Sequence, residues 1–181
     1  SRVRTEAKSK VKPRDPVVLI DYVVQTKGDA RRIVSKALDA ARARVAARKA
    51  RDLTRRAMLP YYREYDLLWI EEAFDAAWGW REQWLVIEDD TLLGFCSLSQ
   101  DRQALFIREL HLLPEHRGRG VGSWVLEELA LWASQRRLPL LRLRVFRSNP
   151  ARLLYQRHGF VEMGEDDCFV RMQRDINVVA K

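Results

Sequence analysis

A glycine-rich turn between an apolar stretch and an amphipathic one constrains the fold of this chain more than any other feature. Residues 116–123 read His-Arg-Gly-Arg-Gly-Val-Gly-Ser and lie between the apolar residues 105–113 and residues 124–133, which have helical periodicity. Glycine lets the backbone adopt positive φ values and approach a ligand closely. The first N–H groups of a helix have no partner within it and attract anions. The pattern therefore predicts a strand, a phosphate-binding turn and a helix.

The spacing of these glycines excludes two common kinds of phosphate loop. Gly118, Gly120 and Gly122 let the backbone take positive φ values, but they do not form the Gly-x-Gly-x-x-Gly fingerprint of dinucleotide-binding folds. There is also no Gly-Lys-Ser or Gly-Lys-Thr to make a Walker loop. Taken alone, the turn is equally compatible with a purely structural role.

A second block makes the assignment more specific. Residues 148–160 read Ser-Asn-Pro-Ala-Arg-Leu-Leu-Tyr-Gln-Arg-His-Gly-Phe, and the turn itself contains Arg117-x-x-Gly120-x-Gly122. Together they resemble the GNAT superfamily of N-acyltransferases, whose acyl-CoA signature is Gln/Arg-x-x-Gly-x-Gly/Ala. In the later motif of that family, an Asn opens a short helix, a Tyr lies on it and Gly-Phe closes it. The resemblance covers residues 59–174.

The resemblance implies both a fold and an activity. The fold would be α/β, with a GNAT-like mixed, mostly antiparallel central sheet flanked by helices and a basic N-terminal extension. The activity would be that of an acetyl-CoA-dependent N-acetyltransferase, which moves the acetyl group to a primary amine by direct transfer in a ternary complex. The acceptor would be a small-molecule or peptide amine. A catalytically silent CoA-binding or adaptor protein is the alternative from another class.

Length and cysteine content favour one domain in a reducing compartment. The 181 residues suffice for one domain with a full core. We expect a basic, flexible tail at 1–16 and a single acyl-CoA N-acyltransferase domain at 17–181, in which 17–56 is the least defined part. Cys96 and Cys168 lack Cys-x-x-Cys spacing, so neither a disulfide framework nor a metal site is predicted, and a cytoplasmic location is expected. No membrane-spanning run is present in the sequence.

The positive charge is concentrated in the N-terminal third. The net charge is +8, but residues 1–56 hold 17 Lys and Arg against 6 Asp and Glu, whereas residues 57–181 hold 16 against 19. The basic third is either a solvated face or a docking segment. Acetylation of an RNA-borne or protein-borne amine docked by this segment is therefore the alternative activity, with nucleic acid not favoured as a partner. Exposed apolar positions are compatible with a homodimer.

Hydrophobic patterning predicts the order of the secondary-structure elements. A helix is expected from Ala30 to about Met58, where Pro60 either ends it or opens the next. The remaining predictions are helices at 67–77, 120–136 and 149–158 and strands at 17–24, 84–87, 92–98, 104–113, 140–146, 160–163 and 168–172.

The resemblance implies which residues bind acetyl-CoA. Amides and cationic side chains of the turn would hold the pyrophosphate, and the backbone of the preceding strand would pair with the pantetheine arm. A backbone N–H near Leu112 would polarise the thioester carbonyl. The predicted set is Leu110, His111, Leu112, Arg117, Gly118, Arg119, Gly120, Val121, Gly122, Ser123, Asn149 and Arg152.

Two residues are predicted to move protons. Tyr155 is the expected acid, since a phenol can donate to the departing thiolate; an ordinary core aromatic is the alternative. Glu109 is the nearest base, although Arg108 stands where some relatives have a carboxylate. Because strand residues alternate in direction, Arg108 and Glu109 face opposite sides. If Arg108 faces the acceptor, it would favour an acceptor bearing a carboxylate or phosphate; a surface role of the pair is the equal alternative.

Aromatic residues are predicted to bind the acceptor. Tyr61, Tyr62 and Trp69 fall where this family builds the lid over its acceptor. Clustered aromatic rings suit an apolar or cationic acceptor. The alternative is that these side chains only pack in a half-buried helix.

Overall fold

The computed structural model describes residues 18–21, 23–24, 31–32, 40–88 and 91–176, so the predicted tail at 1–16 lies outside it. The helices are α1 (Ala40–Glu64), α2 (Glu71–Trp80), α3 (Val121–Gln135) and α4 (Ala151–Arg157), with a 3-10 turn at Pro114–His116. The strands are β1 (Val18–Asp21), β2 (Val23–Val24), β3 (Arg31–Arg32), β4 (Glu82–Glu88), β5 (Thr91–Gln100), β6 (Ala104–Leu112), β7 (Leu140–Phe146), β8 (Val161–Glu165) and β9 (Phe169–Asp175).

The main sheet is mixed and mostly antiparallel. Its strand order is β1-β4-β5-β6-β7-β9-β8, and β2 pairs with β3 in a separate antiparallel ladder. β1 is parallel to β4 and β6 is parallel to β7, whereas β9 is antiparallel to both β7 and β8. Short links join β4 to β5 and β5 to β6, and such links connect only antiparallel strands. The predicted fold class is confirmed.

The described residues form two compact units. Unit 1 contains the residues up to 57, 69–97 and 109–116, and unit 2 contains residues 58–68, 98–108 and those from 117 onward. Unit 1 has a core of Ala46, Ala50, Leu53, Trp78, Leu85 and Phe95. The first three recur at helical spacing on α1, and the two alanines are small. This spacing explains why one face of the otherwise basic α1 is buried.

Unit 2 is built on α3 and β7. The buried residues of α3 are Val121, Trp124, Val125, Leu126, Leu129, Ala130, Trp132 and Ala133. In β7, Leu141, Leu143 and Val145 are buried, while Arg144 between them is exposed. In β9, Val170 and Met172 are buried in the same alternating way. One face of these strands therefore forms the core and the other carries polar side chains.

Three helices end in the same hydrogen-bonded arrangement. A residue with positive φ follows each of them: Asp66 (55°) after α1, Arg137 (57°) after α3 and Gly159 (83°) after α4. After α4, the N–H of Phe160 donates to the carbonyl of Tyr155 and the N–H of Gly159 donates to that of Gln156, both at 3.1 Å. This is a Schellman motif, which satisfies the last carbonyls of a helix.

The first predicted helix was placed wrongly at both ends. Arg31–Arg32 is strand β3 rather than helix, and α1 begins at Ala40; residues 33–39 lie outside the description. At the other end, α1 continues through Pro60 to Glu64. Proline removes one backbone donor and disfavours a helix interior. We attribute the continuation to the tyrosines of the last turns, which pack on the ring of Phe146.

The second predicted helix, 67–77, was also shifted. Leu67 to Ile70 are not helical, because Asp66 turns the chain and Ile70 has an extended φ of −125°. Glu71 and Glu72 occupy the first turn of α2, where the helix dipole favours acidic side chains. The strand predicted at 17–24 is divided between β1 and β2. The helix at 120–136, the short helix near Tyr155 and the strand at 140–146 are confirmed.

Candidate active site

The glycine-rich turn in unit 2 leaves open space above its backbone. Gly118 and Gly120 have φ values of 74° and 79°, and a Cβ built at either position meets no atom within 4 Å. Gly122 is the second residue of α3 and lacks positive φ. The backbone conformation thus favours glycine at 118 and 120, and a ligand can approach both positions closely.

The start of α3 is not capped by a side chain. Gly120 precedes the helix in a left-handed conformation, and the N–H of Trp124 donates to its carbonyl at 3.0 Å. The N–H groups of the three preceding residues, 121–123, belong to the first turn and have no acceptor within the helix. Val121 is 1% exposed and anchors the turn in the core. With Arg117 and Arg119 exposed beside it, this end suits an anion.

The second sequence block forms a short helix that fixes Tyr155. The Oδ1 of Asn149 accepts a hydrogen bond from the N–H of Ala151 at 2.9 Å and so opens α4. Gly159 closes the helix, and the rings of Phe160 and Tyr155 meet edge to face with centroids 5.8 Å apart. Contact between these two positions commonly accompanies a Schellman motif. The half-buried Tyr155 is therefore held by both ends of its own helix.

Arg152 connects the same helix to the backbone before it and to β8. Its guanidinium donates to the carbonyl of Arg147 at 2.6 Å and forms an ion pair with Glu162 of β8. These contacts are structural, and the expected roles of Arg152 and Asn149 in binding acetyl-CoA remain predictions.

An aromatic cluster lies around Phe146 at the end of β7. Tyr61 and Tyr65 stack on its ring with centroids 5.3 and 5.4 Å away, and Tyr62 meets it edge-on at 5.7 Å. Phe169 of β9 stacks on the same ring at 4.4 Å. We call these five residues the aromatic cluster. Two of the predicted acceptor residues, Tyr61 and Tyr62, are thus brought together in unit 2.

Tyr61 is electrostatically linked to the glycine-rich turn. Burial raises the pKa of Tyr61 above 10.0, and the charge of Glu64 raises it further. The charge of Arg117 lowers the same pKa. Arg117 precedes Gly118, so the field of the turn reaches the aromatic cluster.

Glu109 lies in a polar network in unit 1. Its Oε2 is 2.6 Å from Nε2 of His111, two residues along the same face of β6, and its Oε1 is 3.9 Å from the guanidinium of Arg81. His111 is buried, and its ring lies 5.7 Å from that of Phe95. The network holds the carboxylate in one orientation. Sequence reasoning missed Arg81 and the side chain of His111, although the i, i+2 spacing could have indicated the pair.

Arg108 points away from Glu109, as alternation predicts. Its Nε donates to Ser99 Oγ at 2.8 Å, and its guanidinium lies 4.5 Å from the centroid of the Phe106 ring. Its predicted contact with an acceptor remains a prediction.

Gly94 of β5 is a supporting residue that the sequence analysis missed. A Cβ there would overlap the carbonyl oxygen of His111 and lie 2.9 Å from Cα of Leu112. Only glycine permits this approach of β5 to β6. A single glycine inside an apolar strand pattern is the signal that could have indicated it.

Trp69 belongs to unit 1, whereas Tyr61 and Tyr62 belong to unit 2. It lies in the non-helical residues before α2, and its ring is 5.9 Å from that of Phe74. A role in acceptor binding remains a prediction.

Other kinds of site find no support in the part of the chain that the structure describes. No group of three or more His, Cys, Asp or Glu side chains there could hold a metal ion. No described helix has the length and apolar character needed to cross a membrane. Cys96, which is buried, and Cys168 are not joined in a disulfide.

Comparison with known proteins identifies the family. Residues 50–160, more than half of the chain, match the model of the acetyltransferase (GNAT) family. The chain belongs to this GNAT family. Residues 117–123 and 149–159 both fall within the matched region.

Two curated relatives resemble part of this GNAT protein. One is the [ribosomal protein bS18]-alanine N-acetyltransferase of Haemophilus influenzae, 34% identical over 80 residues, which are 43% of this chain and 53% of the relative. The other is the streptothricin acetyltransferase of Streptomyces lavendulae, 36% identical over 81 residues, or 43% of each chain. The matched segment spans about half the length of these relatives.

A solved structure supports the fold. The PaiA N-acetyltransferase of Thermoplasma acidophilum in complex with coenzyme A is 18% identical, with a TM-score of 0.58 over 77% of this chain and 96% of that one. At this identity the likeness concerns the fold alone.

Proposed function

We propose that this GNAT protein transfers the acetyl group of acetyl-CoA to an amine. The observation that carries the proposal is the turn at 117–123, whose glycines leave open space before an uncapped helix. Its amides, with Arg117 and Arg119, would hold the pyrophosphate. A pyrophosphate needs several hydrogen-bond donors and positive charge, and the turn offers both.

The pantetheine arm would run beside residues 110–112. The N–H of Leu113 donates to the carbonyl of Leu93 on β5 at 2.8 Å. Successive N–H groups of a strand point in opposite directions, so the N–H of Leu112 points away from β5. β6 pairs with β7 from Ala104 to Ile107. In the proposed complex, the thioester carbonyl would accept a hydrogen bond from the Leu112 N–H.

Two side chains of this chain would move protons in the transfer. The amine nitrogen attacks the thioester carbonyl carbon, and the carbon–sulfur bond breaks as the new carbon–nitrogen bond forms. Glu109, oriented by His111, would accept the proton that the amine loses. Tyr155 would donate a proton to the departing thiolate. The reference pKa of a thiol is near 8.5, and that of a phenol is about 10.

A ligand titration tests the proposal. Acetyl-CoA or CoA at about 100 times its dissociation constant should stabilise the protein by roughly 2.7 kcal/mol, whereas ATP should not. Gly120→Ala should lose most of this stabilisation, because its methyl group would occupy space that the ligand needs. Gly159→Ala is the matched control, since it carries the same positive-φ strain outside the turn.

Turnover is then measured as CoA thiol released during an amine screen. Binding followed by acetylation of any amine supports the proposed activity. Binding without turnover would instead favour the silent CoA-binding protein, and equal responses of the two glycine variants would mean that the turn is structural.

A further inference from the structure

Two arginines face each other across the exposed side of the sheet in unit 2. Arg144 of β7 is the direct cross-strand partner of Arg171 of β9. Their neighbours Val145 and Val170 are buried against the core, so both arginines lie on the opposite face, and both are exposed. Like charges directly opposite each other on a sheet are destabilising. The pair therefore destabilises the fold when no ligand is bound.

The charge of this pair is only partly compensated. Among the described residues, neither guanidinium forms an ion pair within 4.0 Å, and Asp166 is the carboxylate whose pKa their charges affect. Backbone N–H groups of Phe169 and Cys168 lower the pKa of Asp166 most, and the two arginines lower it further. Its Oδ1 already accepts both of those N–H groups. The Asp166 carboxylate near the two arginines is thus already engaged in a turn.

The pair adjoins the aromatic cluster. The guanidinium of Arg144 lies 4.0 Å from the centroid of the Phe169 ring, which restricts its position. Phe169 stacks on Phe146, and Phe146 stacks on Tyr61. Ring contacts therefore link the predicted acceptor residue Tyr61 to Arg144, whose cross-strand partner is Arg171.

We propose that Arg144 and Arg171 bind an oxyanion, a carboxylate or a phosphate, carried by the acceptor beside the amine that is acetylated. The inference rests on the proposed function and names its substrate class. Guanidinium groups are planar forks that bind carboxylate and phosphate with two hydrogen bonds. The sequence predicts this role for Arg108, which contacts Ser99 and Phe106; Arg144 and Arg171 form a second, paired candidate. An anionic acceptor relieves the repulsion between Arg144 and Arg171, whereas a polycationic one would be repelled.

Binding of matched acceptors to the CoA-saturated protein tests the proposal. One series consists of C-terminally amidated tetrapeptides that begin with Ala and carry the same residue, Glu, phosphoserine, Gln or Lys, at positions 2 and 3. The small-molecule series consists of β-alanine and its amide. We expect an oxyanion to lower the dissociation constant at least about tenfold relative to its neutral counterpart. Arg144→Gln and Arg171→Gln should each reduce this ratio towards one. Arg102→Gln, at an exposed position between β5 and β6, removes the same charge and should leave the ratio unchanged.

A charge-reversed variant separates binding from folding. Arg144→Glu places opposite charges across the strands, so its melting temperature should not fall, while the preference for anionic acceptors should vanish. Should Arg144→Gln fail to fold, this variant still decides the question.

The outcomes of the two proposals are distinguishable. Arginine-dependent preference for oxyanions without acetylation would support the site and overturn the proposed activity. Acetylation with no preference, or with a preference for Gln or Lys acceptors, would overturn the arginine site and leave the activity standing. Absence of binding by every acceptor, or a preference that survives in both glutamine variants, would also overturn the site.

Discussion

At the scale of single residues, the site depends on side chains whose positions are fixed by short-range contacts. Tyr155 is held by the edge-to-face contact with Phe160, and Glu109 by its hydrogen bond with His111. Tyr61 is held by stacking on Phe146. A variant that removes one polar atom and keeps the packing therefore tests chemistry rather than stability.

Tyr155→Phe is expected to lower kcat by about 100-fold or more, which is typical of a lost general acid. The ring contact with Phe160 is kept, so the melting temperature and the dissociation constant of acetyl-CoA should change little. Steady-state kinetics and a ligand titration measure these quantities. An unchanged kcat would remove Tyr155 from the mechanism.

Arg117→Gln is expected to raise the pKa of Tyr61 further above 10.0, because Arg117 is the charge that lowers it. Ultraviolet titration of tyrosinate, with Tyr61→Phe to identify the signal, measures the change. A raised folded-state pKa means that the stabilisation from neutral Tyr61 is complete below about pH 10 and declines as the pH rises through the folded-state value. If the titration is the same with and without Arg117, the turn and the aromatic cluster are not coupled.

At the scale of elements, close backbone approach and helix-end contacts set the geometry. Gly94 lets β5 approach the strand that carries His111. Glu127 of α3 binds both His158 at the end of α4 and Arg174 of β9. Each of these contacts links an element that carries predicted site residues to another element of the same unit.

Gly94→Ala is expected to lower the free energy of unfolding by about 1–3 kcal/mol, the usual range for overpacking a core. The new methyl group would overlap backbone atoms of His111 and Leu112, which cannot rotate away. Chemical denaturation measures the loss, and Gly118→Ala, whose Cβ meets nothing within 4 Å, gives the comparison. Equal small losses would mean that β5 and β6 shift apart easily.

Glu127→Gln is expected to lower stability by about 1 kcal/mol or less at neutral pH, since the pair is half exposed. Burial raises the pKa of Glu127, but hydrogen bonds from Arg174 and His158 outweigh it and hold the pKa below its ordinary value. A lowered pKa stabilises the fold above the unfolded-state value, and this stabilisation is lost as the pH falls through the folded-state value. The difference between wild type and variant, followed by denaturation, should therefore shrink below about pH 4. A difference that is constant with pH would contradict this assignment.

At the scale of the whole molecule, charge is distributed unevenly along the chain. The net charge of +8 arises from residues 1–56, where basic residues outnumber acidic ones by 17 to 6. The proposed anion preference arises instead from Arg144 and Arg171, which lie in the remainder of the chain. Net charge is therefore a poor guide to the acceptor, and the local pairing of strands is the better one.

Features that depend on neighbouring residues could be predicted from the sequence. The glycine-rich turn, the helix of Tyr155 and the alternation of Arg108 and Glu109 follow from φ requirements, capping and strand geometry within a few positions. Tertiary structure alone decided that α1 continues through Pro60, that Gly94 touches β6 and that Arg144 meets Arg171. Each of these depends on the pairing of segments far apart in the chain, and such pairing is set by packing and register that no local pattern encodes.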